Sequence, residues 1–242
     1  MKTLVNSFPF LLTTNDFDYK DELRPSAVLN YFQVVAGMHA TEIGVGYEAF
    51  KERNLAWILT KIKYKCVKEA IPEKGIKVQT WPKEAKRVEY DRFYLIKDEA
   101  DNVLYKGVSR WCIIDFSTRR ISREKAIFNG EYLEEDVQLV FDSEIIKNNN
   151  IDNLEYMFDY DVRLADLDHN GHMNNTRYGD IVLSTMHKGD HIDEFEINFI
   201  NECMLNDSIS VFKKRFENGK LFVLGYNKAK NHIAFKALVK IL

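Results

Sequence analysis

Ten consecutive residues, Asp166-Leu-Asp-His-Asn-Gly-His-Met-Asn-Asn175, carry two carboxylates, two imidazoles and three side-chain amides. A second ionisable cluster, Asn201-Glu202-Cys203, follows downstream. Polar groups this dense are costly beside a core unless they are hydrogen-bonded or do chemistry. Asp168, Asn170 and His172 are spaced by two, so in an extended segment they would share a face. Glu202 joins them if the strand that carries it runs alongside. Such a set suits hydrolysis of an acyl group. A carboxylate takes a proton from water, while imidazole and amide hold that water or the developing oxyanion. The run from 176 to 186 reads as a helix, whose first-turn N–H groups would face the same negative charge.

Each residue also has a plainer reading. Asp166 and Asp168 make turns readily with Asn170-Gly171, and His169 fits a solvated turn position. Asn174 and Asn175 are good helix caps, and one of them is expected to cap this helix. His172 beside a helix start also fits a capping or packing role. Arg163 and Arg177 are expected to pair with nearby acids rather than hold an anion. Asp168, His172 and Glu202 lack His-x-x-x-His or comparable ligand spacing, so no metal is expected, and no cofactor. Cys203 stays open as an alternative nucleophile, whereas Cys66 and Cys112 read as small buried hydrophobes. Three widely spaced cysteines without a C-x-x-C pair speak against a disulfide framework.

The elements that must position these groups are written twice along the chain. In the first half a helical run, 27–42, places Val28, Leu29, Phe32, Val35 and Met38 at helical spacing behind Pro25 and Ser26. Strand-like stretches follow at 57–67, 76–81, 87–97 and 103–116, with Gly107 read as a bulge. In the second half a helical run, 175–188, presents Tyr178, Ile181, Val182 and Thr185 on one face. Strands are expected at 195–203, 208–217, 221–227 and 232–241, with Asn218-Gly219 as a hairpin turn. A helix on one face of an antiparallel sheet buries the apolar sides of both. The expected division is 1–130 and 153–242, joined by a linker at 131–152 with a short acidic helix near 131–136. The segment before the first helix, Asp18-Tyr-Lys-Asp-Glu-Leu-Arg-Pro-Ser26, has no Asp-x-Asn-x-His. The strand 61–67 that matches 195–203 has no acid. Both polar clusters therefore read as belonging to one copy, which argues that the fold itself does not need them.

The 242 residues, 45% hydrophobic and 13% aromatic, suffice for a sizeable core and exclude a disordered chain. A formal charge of −3 argues against a nucleic-acid partner. No apolar stretch approaches the roughly 20 residues of a membrane helix, and no signal peptide is evident, so a soluble, cytoplasmic protein without a membrane partner is expected.

The run Arg163-Leu-Ala-Asp-Leu-Asp-His-Asn-Gly-His-Met-Asn-Asn-Thr-Arg-Tyr178 closely resembles the signature of plant and bacterial acyl-acyl-carrier-protein thioesterases, approximately R-x-x-D-x-D-x-N-x-H-V-N-N-x-x-Y, with Met173 in place of Val. Asn201-Glu202-Cys203 resembles the Glu-Cys motif of that family, and 75–87 and 107–115 resemble stretches of its first half. The resemblance implies an α+β fold of two tandem hotdog domains, each a long central helix wrapped by an antiparallel β-sheet. It implies hydrolysis of the thioester between a fatty acyl chain and acyl carrier protein, with Asp168, Asn170, His172 and Glu202 as the catalytic set. An older family assignment would instead make a papain-like triad of Cys203, His172 and Asn170. We favour water activated by Glu202. The first half would bind the acyl chain. Acidic carrier protein would meet basic residues, with Lys61, Lys63, Lys65 and Lys68, or Lys83, Lys86 and Arg87, or Lys213, Lys214 and Arg215 as candidates. A hotdog thioesterase acting on acyl-coenzyme A and a catalytically silent acyl-binding module remain alternatives, and a homodimer stays open.

Overall fold

The computed structural model describes residues 3–126, 128, 130–142 and 151–242. The chain forms two compact units, Met1–Leu23 with Asn30–Leu139, and Arg24–Leu29 with Val140–Leu242. Residues 143–150 of the expected linker lie outside the described residues. Residues 131–136 contain no helix. Their main-chain carbonyls instead hold Trp81 and Lys83: Trp81 Nε1 donates to Glu135 O at 3.2 Å and Lys83 Nζ to Leu133 O at 3.0 Å.

The first unit contains β1 (Asn6–Leu11), α1 (Pro25–Glu42), α2 (Tyr47–Lys51), β2 (Leu55–Cys66), β3 (Gly75–Pro82), β4 (Tyr90–Asp98), β5 (Val103–Asp115) and the short β6 (Arg120–Ile121); the first turn of α1 counts with the second unit. The strands pair antiparallel in the order β1-β3-β4-β5-β2, with β6 on the free stretch of β5. Pro25 opens α1, where a missing N–H costs nothing. The helix ends where Gly44 takes φ +80°: Gly44 N–H donates to Thr41 O at 3.2 Å and Val45 N–H to Ala40 O at 2.9 Å, satisfying the last carbonyls. Phe32 and Val35 are fully buried, and Phe32 stacks on Tyr94 with ring centroids 4.3 Å apart. Met38, placed on this buried face by its spacing, is instead 43% exposed, and His39 next to it is buried. Gly107 is not a bulge. A Cβ there would lie 2.1 Å from Phe32 Cε2, so glycine lets the helix come close to the sheet.

The second unit repeats this order with β7 (Glu155–Asp161), α3 (Arg177–Leu183), β8 (Ile192–Phe199), β9 (Ser208–Arg215), β10 (Lys220–Asn227) and β11 (His232–Ile241), paired antiparallel as β7-β9-β10-β11-β8. Strand for strand this is the order of the first unit. The fold is thus α+β and internally repeated, with an additional leading strand in each copy that alternation had not marked. Gly219 at φ +76° makes the β9–β10 turn expected from Asn218-Gly219. Tyr178, Ile181, Val182 and Thr185 are all buried, as their spacing requires. The helix is shorter than the run 175–188, because Thr185 Oγ1 donates to Val182 O at 2.7 Å and Thr185 and Met186 N–H groups close tighter turns onto Val182 and Leu183. Among the described residues no helix is long and apolar enough to cross a membrane.

Candidate active site

The segment from Asp168 to His172 is not extended. Asp168 N–H donates to His172 O at 2.8 Å, Gly171 N–H donates to Asp168 O at 3.0 Å, and Gly171 adopts φ +79°. Leu167 and Met173 close the turn as a bridge pair. The Asp168 carboxylate lies inside it: Oδ1 accepts from Asn170 N–H at 2.8 Å and from His172 N–H at 3.2 Å. The shared face expected of Asp168, Asn170 and His172 therefore does not exist. Asp168 fastens the turn, Asn170 stands exposed at its tip, and His172 leaves from its far side. Asp166 performs a similar service one step earlier, accepting Arg163 N–H at 2.9 Å. Arg163 pairs with Asp161 at 2.9 Å, and Arg177 lies 3.7 Å from Asp166, so both arginines go to acids as expected.

Beyond the turn, Asn174 Oδ1 accepts Thr176 N–H at 3.0 Å, and Arg177 N–H goes to Asn174 O. Asn174 thus closes the turn before α3 and is not its cap: the helix starts after Thr176, which makes no side-chain cap bond. The same bonds consume N–H groups that were expected to face the reacting centre.

Glu202 is not on a strand. β8 ends at Phe199, and Ile200 and Asn201 both donate N–H to Ala234 O, at 2.9 and 3.1 Å. Asn201 Nδ2 donates to Ile233 O at 2.7 Å, so the side chain takes over from the ladder while the backbone turns away. Met173 N–H donates to Cys203 O at 2.8 Å, and His172 bridges Met204. These contacts bring His172 Nε2 to 3.2 Å from Glu202 Oε2. The His172 side chain is 17% exposed and the Glu202 side chain 41%, so the pair is reachable from solvent.

Cys203 differs from both. It is fully buried, and burial pushes its thiol above the ordinary value, with Asp207 adding to the rise and the Tyr178 hydroxyl and Lys230 opposing it. A thiol of this kind is a poor nucleophile near neutral pH.

Two residues that sequence patterns did not single out hold the Glu202 turn. Asp207 Oδ2 accepts Met204 N–H at 2.8 Å and Lys230 Nζ at 2.7 Å. Burial raises this carboxyl, but Lys230 and the Met204 N–H outweigh it and hold it below the usual carboxylate range. An acid at the end of a polar turn that opens on a strand was the available signal.

The repeat corrects the contrast between the copies. Around Asp18 the first unit builds the same turn: Lys20 N–H at 2.8 Å and Glu22 N–H at 3.2 Å both donate to Asp18 Oδ1, Asp18 N–H donates to Glu22 O, and Phe17 bridges Leu23. Asp18 therefore matches Asp168, Lys20 matches Asn170 and Glu22 matches His172. Glu73 N–H donates to Leu12 O as Asn206 N–H does to Val162 O, so counting back through this matching turn pairs Glu69 with Glu202 and Ala70 with Cys203. Glu69 accepts from Tyr105 Oη at 3.2 Å and from Cys66 Sγ at 3.3 Å. The acid and its turn are common property of both copies. What the second copy adds is the imidazole of His172, the amide of Asn170 and the Asp207–Lys230 pair.

Residues 5–129 match the family model for the acyl-ACP thioesterase N-terminal domain, and residues 148–238 match its C-terminal domain. The chain belongs to the acyl-ACP thioesterase family. Its α+β units are accordingly hotdog domains in tandem. An oleoyl-acyl carrier protein thioesterase of Arabidopsis thaliana is 27% identical over 206 residues, covering 75% of this chain and 55% of that protein. One from Coriandrum sativum is 25% identical over 202 residues, with the same shares. The chain thus spans about half the length of the curated relatives it matches. Its fold is shared with an acyl-ACP thioesterase from Bacteroides thetaiotaomicron, at TM-score 0.90 and 20% identity over 99% of this chain and 98% of the other. It is shared as well with a 12:0-ACP thioesterase from Umbellularia californica, at TM-score 0.78 and 18% identity over 100% and 98%.

Proposed function

We propose that this chain hydrolyses the thioester joining a fatty acyl chain to acyl carrier protein, releasing free fatty acid and the carrier thiol, with Glu202 as general base. The observation that carries the mechanism is the 3.2 Å approach of His172 Nε2 to Glu202 Oε2 at a reachable surface. Glu202 takes a proton from water as that water attacks the thioester carbonyl. The carbon–sulfur bond breaks, and the proton returns to the departing sulfur. His172 holds the Glu202 carboxylate in position, and the exposed Asn170 amide offers a donor to the carbonyl oxygen as charge develops on it. Asp168 acts through the turn, fixing the backbone of both Asn170 and His172. Burial of Cys203 and its raised thiol favour this route over a Cys203-His172-Asn170 triad.

In the same proposal the first unit receives the acyl chain, and carrier protein meets exposed basic residues. Among the candidates, Lys63 and Lys213 are buried, and Lys83 is spent on main-chain carbonyls. Lys61 and Lys65 are half-buried and Arg215 pairs with Asp190, which leaves Lys68, Lys86, Arg87 and Lys214 as exposed cations suited to an acidic partner. A cytoplasmic setting belongs to this reading too. The deciding comparison measures hydrolysis of one acyl chain carried by carrier protein and by coenzyme A. Preference for the carrier-bound form supports the proposal. Preference for the coenzyme A form makes this an acyl-coenzyme A hydrolase, and binding of acyl groups without release of either thiol makes it a silent acyl-binding module.

A further inference from the structure

The two copies fasten their acids in different ways. In the first unit Glu69 is held by its own carboxylate: Tyr105 Oη donates to Oε2 at 3.2 Å and Cys66 Sγ to Oε1 at 3.3 Å. Cys66 and Tyr105 are the last partners in the pairing of β2 with β5. Counting back from Glu202 as from Glu69 gives Phe199, the last residue of β8, whose partner on β11 is Phe235. Two phenylalanine side chains have nothing to donate, so the second unit does not hold its acid from these positions.

Its polar contact lies elsewhere. Tyr178, in the first turn of α3, sets its ring edge-on against Phe199 and Phe235, with centroids 5.6 and 5.2 Å apart. Its hydroxyl is hydrogen-bonded to the Cys203 thiol, and the phenol is the stronger donor of the two. Tyr178 and Cys203 are both buried. The first unit has no such pair. Ala27 N–H donates to Arg24 O at 3.0 Å as Arg177 N–H does to Asn174 O, so the two helices start in step and Val28 matches Tyr178. Val28 and Ala70, the counterparts of Tyr178 and Cys203, are buried side chains that form no hydrogen bonds. The fold therefore closes without a phenol and a thiol here. They stand in the copy that also carries His172.

Cys203 directly follows Glu202. On the near side of the acid, Asn201 is tied to Ile233 O and Ala234 O; on the far side, Cys203 O accepts Met173 N–H and its thiol meets Tyr178. We propose that Tyr178 is a positioning residue for the hydrolysis. Acting through the Cys203 thiol, it holds the turn that aims the Glu202 carboxylate at His172 and at the attacking water. Glu202 is thus fixed by its neighbours, whereas Glu69 is fixed by donors on the carboxylate itself, where a base must stay open to water. The role rests on the hydrolase reading with Glu202 as general base, and it gives the buried thiol a task other than attack.

Steady-state hydrolysis of a carrier-bound acyl chain by Tyr178→Phe, Cys203→Ala, Cys203→Ser and the double variant Tyr178→Phe/Cys203→Ala tests this. Tyr178→Phe and Cys203→Ala should each lower kcat by about ten-fold and leave KM within about two-fold, because the aim of the base is lost and substrate binding is not. Cys203→Ser, whose hydroxyl still accepts from the phenol, should recover most of that loss. The double variant should also lose about ten-fold, not the roughly hundred-fold of two independent effects, because both changes break one bond. A role in packing alone would lower Tm without the split between kcat and KM and without rescue by serine. Wild-type kcat in Tyr178→Phe, or a double loss equal to the product of the single losses, overturns the proposal. If Tyr178→Phe does not fold, Cys203→Ala against Cys203→Ser decides, and equal turnover of the two overturns it. A native chain that releases no thiol from carrier-bound or coenzyme A-bound acyl groups sinks the hydrolase reading and this role with it. An active chain indifferent to these variants sinks the role alone.

Discussion

Asp18 and Asp168 make the same two bonds at the same distances in the two copies, which turns one substitution into its own control. Each Oδ1 accepts one N–H at 2.8 Å and one at 3.2 Å inside a five-residue turn. Loss of the carboxylate leaves those N–H groups to water at a partly exposed loop, so the cost lies near that of a lost helix cap. We take about 1–2 kcal/mol for either Asp→Ala change. At roughly 2–4 °C per kcal/mol for a chain of this size, both should lower Tm by about 2–8 °C. Their effects on turnover should differ. Asp168→Ala frees the backbone of Asn170 and His172 and should lower kcat on carrier-bound acyl groups by about 10- to 100-fold. Asp18 fixes only the backbone of Lys20 and Glu22, so Asp18→Ala should leave kcat within about three-fold. Scanning calorimetry and steady-state hydrolysis read both effects. The reasoning fails if Asp168→Ala keeps the wild-type Tm yet loses all turnover, for then its carboxylate acts in the chemistry itself. It fails equally if Asp18→Ala is thermally silent while Asp168→Ala is not.

Further outcomes follow from the same geometry. Asp207 is held below the usual carboxylate range, so its stabilisation should be full above about pH 4 and fade as pH falls through its lowered folded value. Asp207→Asn should therefore lower Tm at pH 7 and converge with wild type in acid melts; a constant gap at every pH contradicts this. Gly107→Ala would set a Cβ 2.1 Å from the Phe32 ring and should cost about 1–3 kcal/mol in urea unfolding, unlike the exposed Gly189→Ala, where nothing lies within 4 Å. Cys203 should resist iodoacetamide at pH 7.5 in the folded chain, read by mass spectrometry of the modified peptide, and rapid alkylation there would restore it as a nucleophile.

The strongly periodic parts of this chain were legible in its residues, and the failures have local causes. The first helix could be read from Pro25 through Gly44 because both ends carry backbone signals as well as a buried stripe. Met38 and His39 exchanged places because an apolar periodicity count assumes an apolar floor, and the floor beneath them contains Arg92. That cation was itself readable: Tyr90, Arg92 and Tyr94 alternate along a strand, which puts Arg92 on the face of its buried neighbours. β1 and β7 escaped notice because they are short, interrupted by Pro9 or by charge, and gain their pairing from β3 and β9. The candidate site residues were chosen by type, and the grouping read from their spacing does not hold. Spacing by two suggested one extended face, whereas Gly171 at positive φ folds Asp168 back on His172. Glu69 was overlooked as the counterpart of Glu202 because it lies past the end of β2, just as Glu202 lies past the end of β8.

The central claim is that Glu202, poised by His172, activates water for cleavage of a carrier-bound acyl thioester. The most direct measurement is single-turnover release of carrier thiol by wild type, Glu202→Gln and Cys203→Ser at equal acyl-carrier loading. The account predicts a loss of about 100-fold or more for Glu202→Gln, in the range of a missing general base, and a change of less than about ten-fold for Cys203→Ser. Near-normal release by Glu202→Gln, together with an inactive, folded Cys203→Ser, would contradict it.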